Sequence, residues 1–98
     1  MNYKRLKRTD VVGTSYQGLI KISYTELCQI FGQPEFCDDG KVQAMWSMNI
    51  AGGALVTIYD YKEDVKPRDI LLWHIGGNSK DAIQLVNIIV KEYRKENK

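Results

Sequence analysis

The stretch Trp73-His74-Ile75-Gly76-Gly77 carries the residue types best suited to a site. Two glycines end an apolar run, and Asn78, Ser79 and Lys80 follow, so the spacing predicts a strand that turns into a helix. At such a corner free backbone N–H groups meet the positive end of a helix dipole, and a phosphate or carboxylate can be held there. His74 adds a titratable hydrogen-bond donor, and Lys80 adds positive charge in the first helical turn. A plainer account also stands. The glycines permit a tight turn, Asn78 caps the helix, and His74 bonds within the sheet. Neither a P-loop nor a dinucleotide-binding glycine pattern is present.

A second set is aromatic and acidic: Trp46, Tyr59-Asp60-Tyr61 and Trp73. If the strands that carry them pair in sequence order, Trp46, Tyr59 or Tyr61, and Trp73 share a face. Aromatic faces stack nucleobases or anchor protein interfaces, although core and cross-strand packing accounts for the same residues. Catalysis has little support. A nucleophile–base pair would need Cys28, Cys37 or a serine beside His74, and no local signature places one there. Asp38-Asp39 suits a turn and Glu63-Asp64 an exposed loop. Two cysteines and one histidine lack zinc-site spacing, and both cysteines are expected as free thiols. No catalytic residue, metal or cofactor is therefore expected; a small hydrolase built on His74 is the last-ranked reading.

The elements that must position these residues follow from periodicity. Gly18–Ile22 alternates as a strand, and a short strand is expected near Thr9–Val12. Ser23 with Glu26 forms a capping box, and Tyr24, Leu27, Cys28 and Phe31 fall on one helical face. Gly32 closes that helix and Pro34 forbids its continuation. From Val42 to Ile50 the even positions, Val42, Ala44, Trp46, Met48 and Ile50, form one apolar face. Ala51-Gly52-Gly53 reverses the chain and Ala54–Tyr61 returns. Lys62–Asp69 is a charged loop. Ile70–Ile75 is apolar on both faces and reads as a central strand, with Gly76-Gly77 breaking it. Asn78 or Ser79 then caps a helix with Ala82, Leu85, Val86, Ile89 and Tyr93 on one side. The fold class is α+β: an antiparallel sheet of three to five strands with two helices, in the order β-α-β-β-β-α.

Ninety-eight residues with 44% hydrophobic and 27% charged content make one globular domain, 1–98, with 1–12 and 95–98 loosely ordered. The net charge of +2 conceals basic ends on a body with six bases against ten acids. That distribution suits neither a nucleic-acid-binding face nor a DNA mimic. With no membrane-length apolar run and no secretory h-region, a cytoplasmic protein is expected. A chain this short buries a modest core, so a homodimer is expected as well.

In order along the chain stand Gly13-Thr14-Ser15-Tyr16-Gln17-Gly18, Ser23-Tyr24-Thr25-Glu26-Leu27, Phe31-Gly32-Gln33-Pro34, Gly40-Lys41-Val42 with Trp46, Thr57-Ile58-Tyr59-Asp60-Tyr61-Lys62, and Trp73-His74-Ile75-Gly76-Gly77. This series resembles a family of short tailed-bacteriophage proteins with the pattern GTSxQG, SYxxL, FGxP, DGKxxxxW, IYDYK and WHIGG. The resemblance covers most of 13–90. Ala51-Gly52-Gly53-Ala54 departs from it, since the family carries a more acidic turn there. The resemblance implies a counter-defence protein acting in the host cytoplasm. It leads to two leading readings: sequestration of a nucleotide-derived immune signal, with Trp73, His74, Gly76, Gly77, Asn78, Lys80, Tyr59, Asp60, Tyr61 and Trp46 as the ligand-binding set, or stoichiometric inhibition of a host defence complex such as a CRISPR effector.

Overall fold

A computed structural model describes residues 1–97; Lys98, at the end of the tail expected to be loosely ordered, lies outside the described residues. The chain forms an α+β fold of two helices and a six-stranded antiparallel sheet, one strand above the expected range. The strands are β1 (Tyr3–Leu6), β2 (Ser15–Lys21), β3 (Glu35–Phe36), β4 (Ala44–Ile50), β5 (Ala54–Tyr59) and β6 (Leu72–Gly77). The helices are α1 (Tyr24–Phe31) and α2 (Ala82–Glu96). Spatial order is β1-β4-β5-β6-β2, with β3 beside β1 on the free side of β4.

Both helices cover one face. Their apolar sides, Leu27, Ile30 and Phe31 from α1 and Ala82, Val86, Ile89 and Val90 from α2, close over Trp46, Met48, Ile50, Val56, Ile58, Trp73 and Ile75. At the centre Trp46 and Trp73 are fully buried, with ring centroids 5.3 Å apart in an edge-to-face contact. Tyr24 of α1 lies over both indoles. The Trp46 Nε1 donates to the Gly32 carbonyl at 2.8 Å, which ties the end of α1 to β4. The Ser23 hydroxyl accepts from the Glu26 N–H at 3.1 Å, as its cap position requires. Arg94 of α2 grips Glu26 of α1 through two 2.8 Å contacts.

Several expectations change. The N-terminal strand is Tyr3–Leu6 rather than Thr9–Val12, and Arg8–Asp10 is a 3₁₀ turn. Strand β1 is held on the sheet edge by the Tyr3 hydroxyl and the Arg5 guanidinium, which donate to the Ile30 and Phe31 carbonyls. Strand β4 begins at Ala44, so Val42 leaves the alternation and stands outside the apolar cluster. Gly76 and Gly77 do not break β6. They continue it, Gly76 pairing with Tyr16 and Thr57, and Gly77 with Ser15 and Val56. Nor does Asn78 cap α2. Its N–H donates to the Leu55 carbonyl and its Oδ1 accepts from the Leu55 N–H, prolonging the β5–β6 ladder, while Asp81 takes the N-cap position.

A glycine is needed at position 77 because α2 seats directly on it. A Cβ there would stand 2.8 Å from the Ala82 Cβ and 3.0 Å from the Leu55 carbonyl oxygen. Gly77→Val is therefore expected to lower the unfolding free energy by about 1–3 kcal/mol in denaturant titration, by overpacking the contact between α2 and the sheet.

Candidate functional site on the helix-free sheet face

Side chains alternate across a strand, so burying Trp73 and Ile75 beneath the helices delivers His74 and Gly76 to the opposite face. Register then assembles a row. Met45, Tyr59 and His74 stand opposite one another on three adjacent strands, and Leu19 of β2 completes the row. The next row holds Ser47, Thr57, Gly76 and Tyr16. An irregularity at Gln17 lets Tyr16 and Leu19, three positions apart, reach the same face.

His74 lies among three tyrosine rings. Tyr59 stacks on it at 5.5 Å with an interplanar angle of 29°, Tyr16 tilts against it at 5.5 Å, and Tyr61 at 5.8 Å. With Val42 and Met45 these rings line a concavity of about 340 Å³. The His74 Nδ1 is buried and has no hydrogen-bond partner among the described residues. Burial, with Tyr16 and Tyr61 adding to it, raises the Tyr59 pKa above the ordinary value of 10.0.

A second hollow, of about 270 Å³, adjoins the first and shares Tyr16, Met45 and Tyr59 with it. Its remaining wall is Arg8, Val11, Thr14, Ser15, Thr57 and Gly76. The missing side chain at Gly76 makes room for it: a Cβ there would stand 2.5 Å from the Thr57 Oγ1 and 3.3 Å from the Tyr59 Cε1. Segment 7–14 links the two edges of the sheet, and its residues Arg8, Val11 and Thr14 wall this hollow. Arg8 fixes the segment. Its N–H donates to the Glu35 carboxyl at 2.7 Å and its Nη2 to Asp39 at 2.7 Å. The other Asp39 oxygen accepts from the Lys41 and Val42 N–H groups at 2.9 and 2.8 Å. The Val42 and Lys41 N–H groups, with Arg8, hold the Asp39 carboxyl well below the usual carboxylate range.

The residues singled out from sequence divide between two faces and two fates. His74, Tyr59, Tyr61 and Gly76 meet on the helix-free face. Trp46 and Trp73 are core, so the tyrosines and tryptophans lie on opposite sides of the sheet. Gly77 is core, Asn78 is spent on Leu55, and Lys80 is an exposed residue of the turn before α2. The anion-facing corner does not form: the Gly76 and Gly77 backbone lies within ladders to both neighbours, and the Asp81 and Ala82 N–H groups donate to Ser79. Asp60 is fully buried, with one carboxyl oxygen accepting from the Gln43 and Ala44 N–H groups at 2.8 and 3.0 Å. Its other oxygen accepts from the Gln43 Nε2, which also donates to the Val65 carbonyl. Asp60 thus fixes the backbone between Tyr59 and Tyr61 rather than facing a ligand.

Sequence reasoning missed Tyr16, Val42, Met45 and Arg8. Met45 lies between the even, apolar positions of β4 and Tyr16 within the GTSYQG block, but only long-range pairing brings them together. No protein-family model, curated protein or solved structure matches the chain.

Asp60→Ala is expected to destabilise the fold by about 2–4 kcal/mol in denaturant titration, because it strips the acceptor from buried N–H groups. Acid should act through Asp39 and Glu26. Val42, Lys41 and Arg8 lower the first, and the Arg94 hydrogen bond lowers the second, from ordinary values of 3.8 and 4.5. Their folded pKa values lie below the unfolded ones, so their contribution is complete above those ordinary values and is lost as pH falls through the folded ones. Melting temperature should therefore fall with pH below about 4.5, and Asp39→Asn combined with Glu26→Gln should flatten that decline.

Proposed function

We propose that this chain is a small binding protein that sequesters a ligand with a planar, nucleobase-type ring on the helix-free face of its sheet. One observation carries the reading: Tyr16, Tyr59 and Tyr61 gather around His74 at an open apolar concavity of about 340 Å³. That volume falls within the range of small-molecule sites. Aromatic faces at its wall suit a flat π-system, for which stacking is worth roughly 1–3 kcal/mol per base. The resemblance to the tailed-phage proteins supplies the setting, in which the ring belongs to a nucleotide-derived immune signal and its capture is counter-defence in the host cytoplasm.

The ring contacts of His74 are tyrosines, and among the described residues no group of three or more histidine, cysteine or acidic side chains could hold a metal ion. No helix among the described residues is long and apolar enough to cross a membrane.

The second reading, a protein inhibitor, draws on the rim of the same concavity and on the leucines beside it on the sheet face. Tyr16 is 56% exposed, Leu19 42%, Leu72 48% and Tyr61 40%, and exposed aromatics bordering an apolar patch anchor protein interfaces. A host defence protein or a second copy of this chain would cover that rim.

Thermal melting with a panel of ribonucleotides and cyclic dinucleotides separates the readings. A ligand at about 100 times its Kd should stabilise the protein by about 2.7 kcal/mol and be recovered unchanged after heating. Tyr16→Ala, at an exposed position, should keep the unliganded melting temperature and abolish the ligand-induced rise. A protein that ignores the whole panel but co-purifies with a host protein through Tyr16 would establish the inhibitor instead.

A further inference from the structure

The two hollows share one wall, Tyr16, Met45 and Tyr59, so a single ligand reaches both. Their chemistry differs. The first is walled by aromatic and aliphatic side chains, whereas the second is walled by Arg8, Thr14 and Thr57 beside the Ser15 backbone. Resting on the ring-binding reading above, we propose that the ligand is anionic and spans both hollows, with its ring among Tyr16, Tyr59 and His74 and a phosphate beside Arg8. The ligand class is then a nucleotide rather than a nucleoside or an uncharged aromatic.

Arg8 is suited to this exchange. Its side chain is 41% exposed, and it offers Asp39 a contact through Nη2. An exposed pair of this kind contributes little stability, and a phosphate accepts the planar fork of a guanidinium through two parallel bonds. Asp39 keeps the Lys41 and Val42 N–H groups as donors when Arg8 turns away, so the loop beneath it stays anchored. The sequence pointed to Gly76 and Gly77 as the anion contact; the geometry moves that role to Arg8, across the sheet from β6.

Calorimetric titration of the full chain with the four ribonucleosides and their 5′-monophosphates tests the assignment. At least one monophosphate should bind roughly tenfold or more tightly than its nucleoside, the difference expected of a charge-assisted contact. Arg8→Gln should close that gap while leaving the nucleoside Kd unchanged. Asp39→Asn keeps the acceptor for Lys41 and Val42 but frees Arg8, and should tighten monophosphate binding alone. The Asp39→Asn gain decides the matter if Arg8→Gln fails to fold, since a purely structural role would not improve binding. Equal affinity for nucleoside and monophosphate, a gap that survives Arg8→Gln, or no gain in Asp39→Asn overturns the phosphate assignment and leaves ring binding standing. Failure of every nucleoside and every monophosphate to bind removes the ring-binding reading, and this inference with it.

Discussion

Two buried indoles, Trp46 and Trp73, meet edge to face at 5.3 Å beneath both helices, and the rest of the molecule is arranged around that contact. They sit on β4 and β6, with Ile58 of β5 paired to Trp46 and Ile75 on the strand between them. Once those side chains point toward α1 and α2, the two-residue period leaves no choice for their neighbours. Met45, Tyr59 and His74 must face the other way. The candidate site is thus the complement of the core: the same strands that bury the tryptophans present the tyrosines.

That face differs from an ordinary solvated sheet surface. Its centre carries tyrosines, methionine, leucines and a histidine, with Ser47 and Thr57 buried beside them, and its lysines, Lys4 and Lys21, stand on the edge strands. Segment 7–14 walls part of it, held by Arg8 to Glu35 and Asp39. Asp60, which looked like a ligand contact, serves geometry instead. Its carboxyl ties the start of β4 to the end of β5 and so sets the tyrosines on either side of it.

Local signals gave away the elements but not their partners. Helix α1 was legible to the residue, because a serine cap, a one-sided apolar stripe and a glycine–proline stop all act within one short segment. Strand β4 was legible from its alternation, which failed only at Val42, where Asp39 draws the backbone into a turn. Gly76 and Gly77 misled because glycine pairs usually punctuate. Here β2 and β5 bond to them from both sides, and close approach of Thr57 and Ala82 requires that they carry no side chain. Strand β1 was illegible, since Tyr3–Leu6 is a strand only because β4 offers it a free edge. For the same reason the facing of Tyr59 could not be decided locally: it depends on pairing Met45 with Tyr59 and His74.

The central claim is that function resides on the helix-free face, not at the strand-to-helix corner. Two-dimensional NMR of the chain, titrated with the nucleotide that most raises its melting temperature, tests it directly. The account predicts that shift changes concentrate at Arg8, Tyr16, Met45, Tyr59, Tyr61 and His74, leaving the Trp46 and Trp73 indole N–H signals in place. Changes centred on Asn78–Lys80 and the first turn of α2, with the tyrosine face silent, would contradict it.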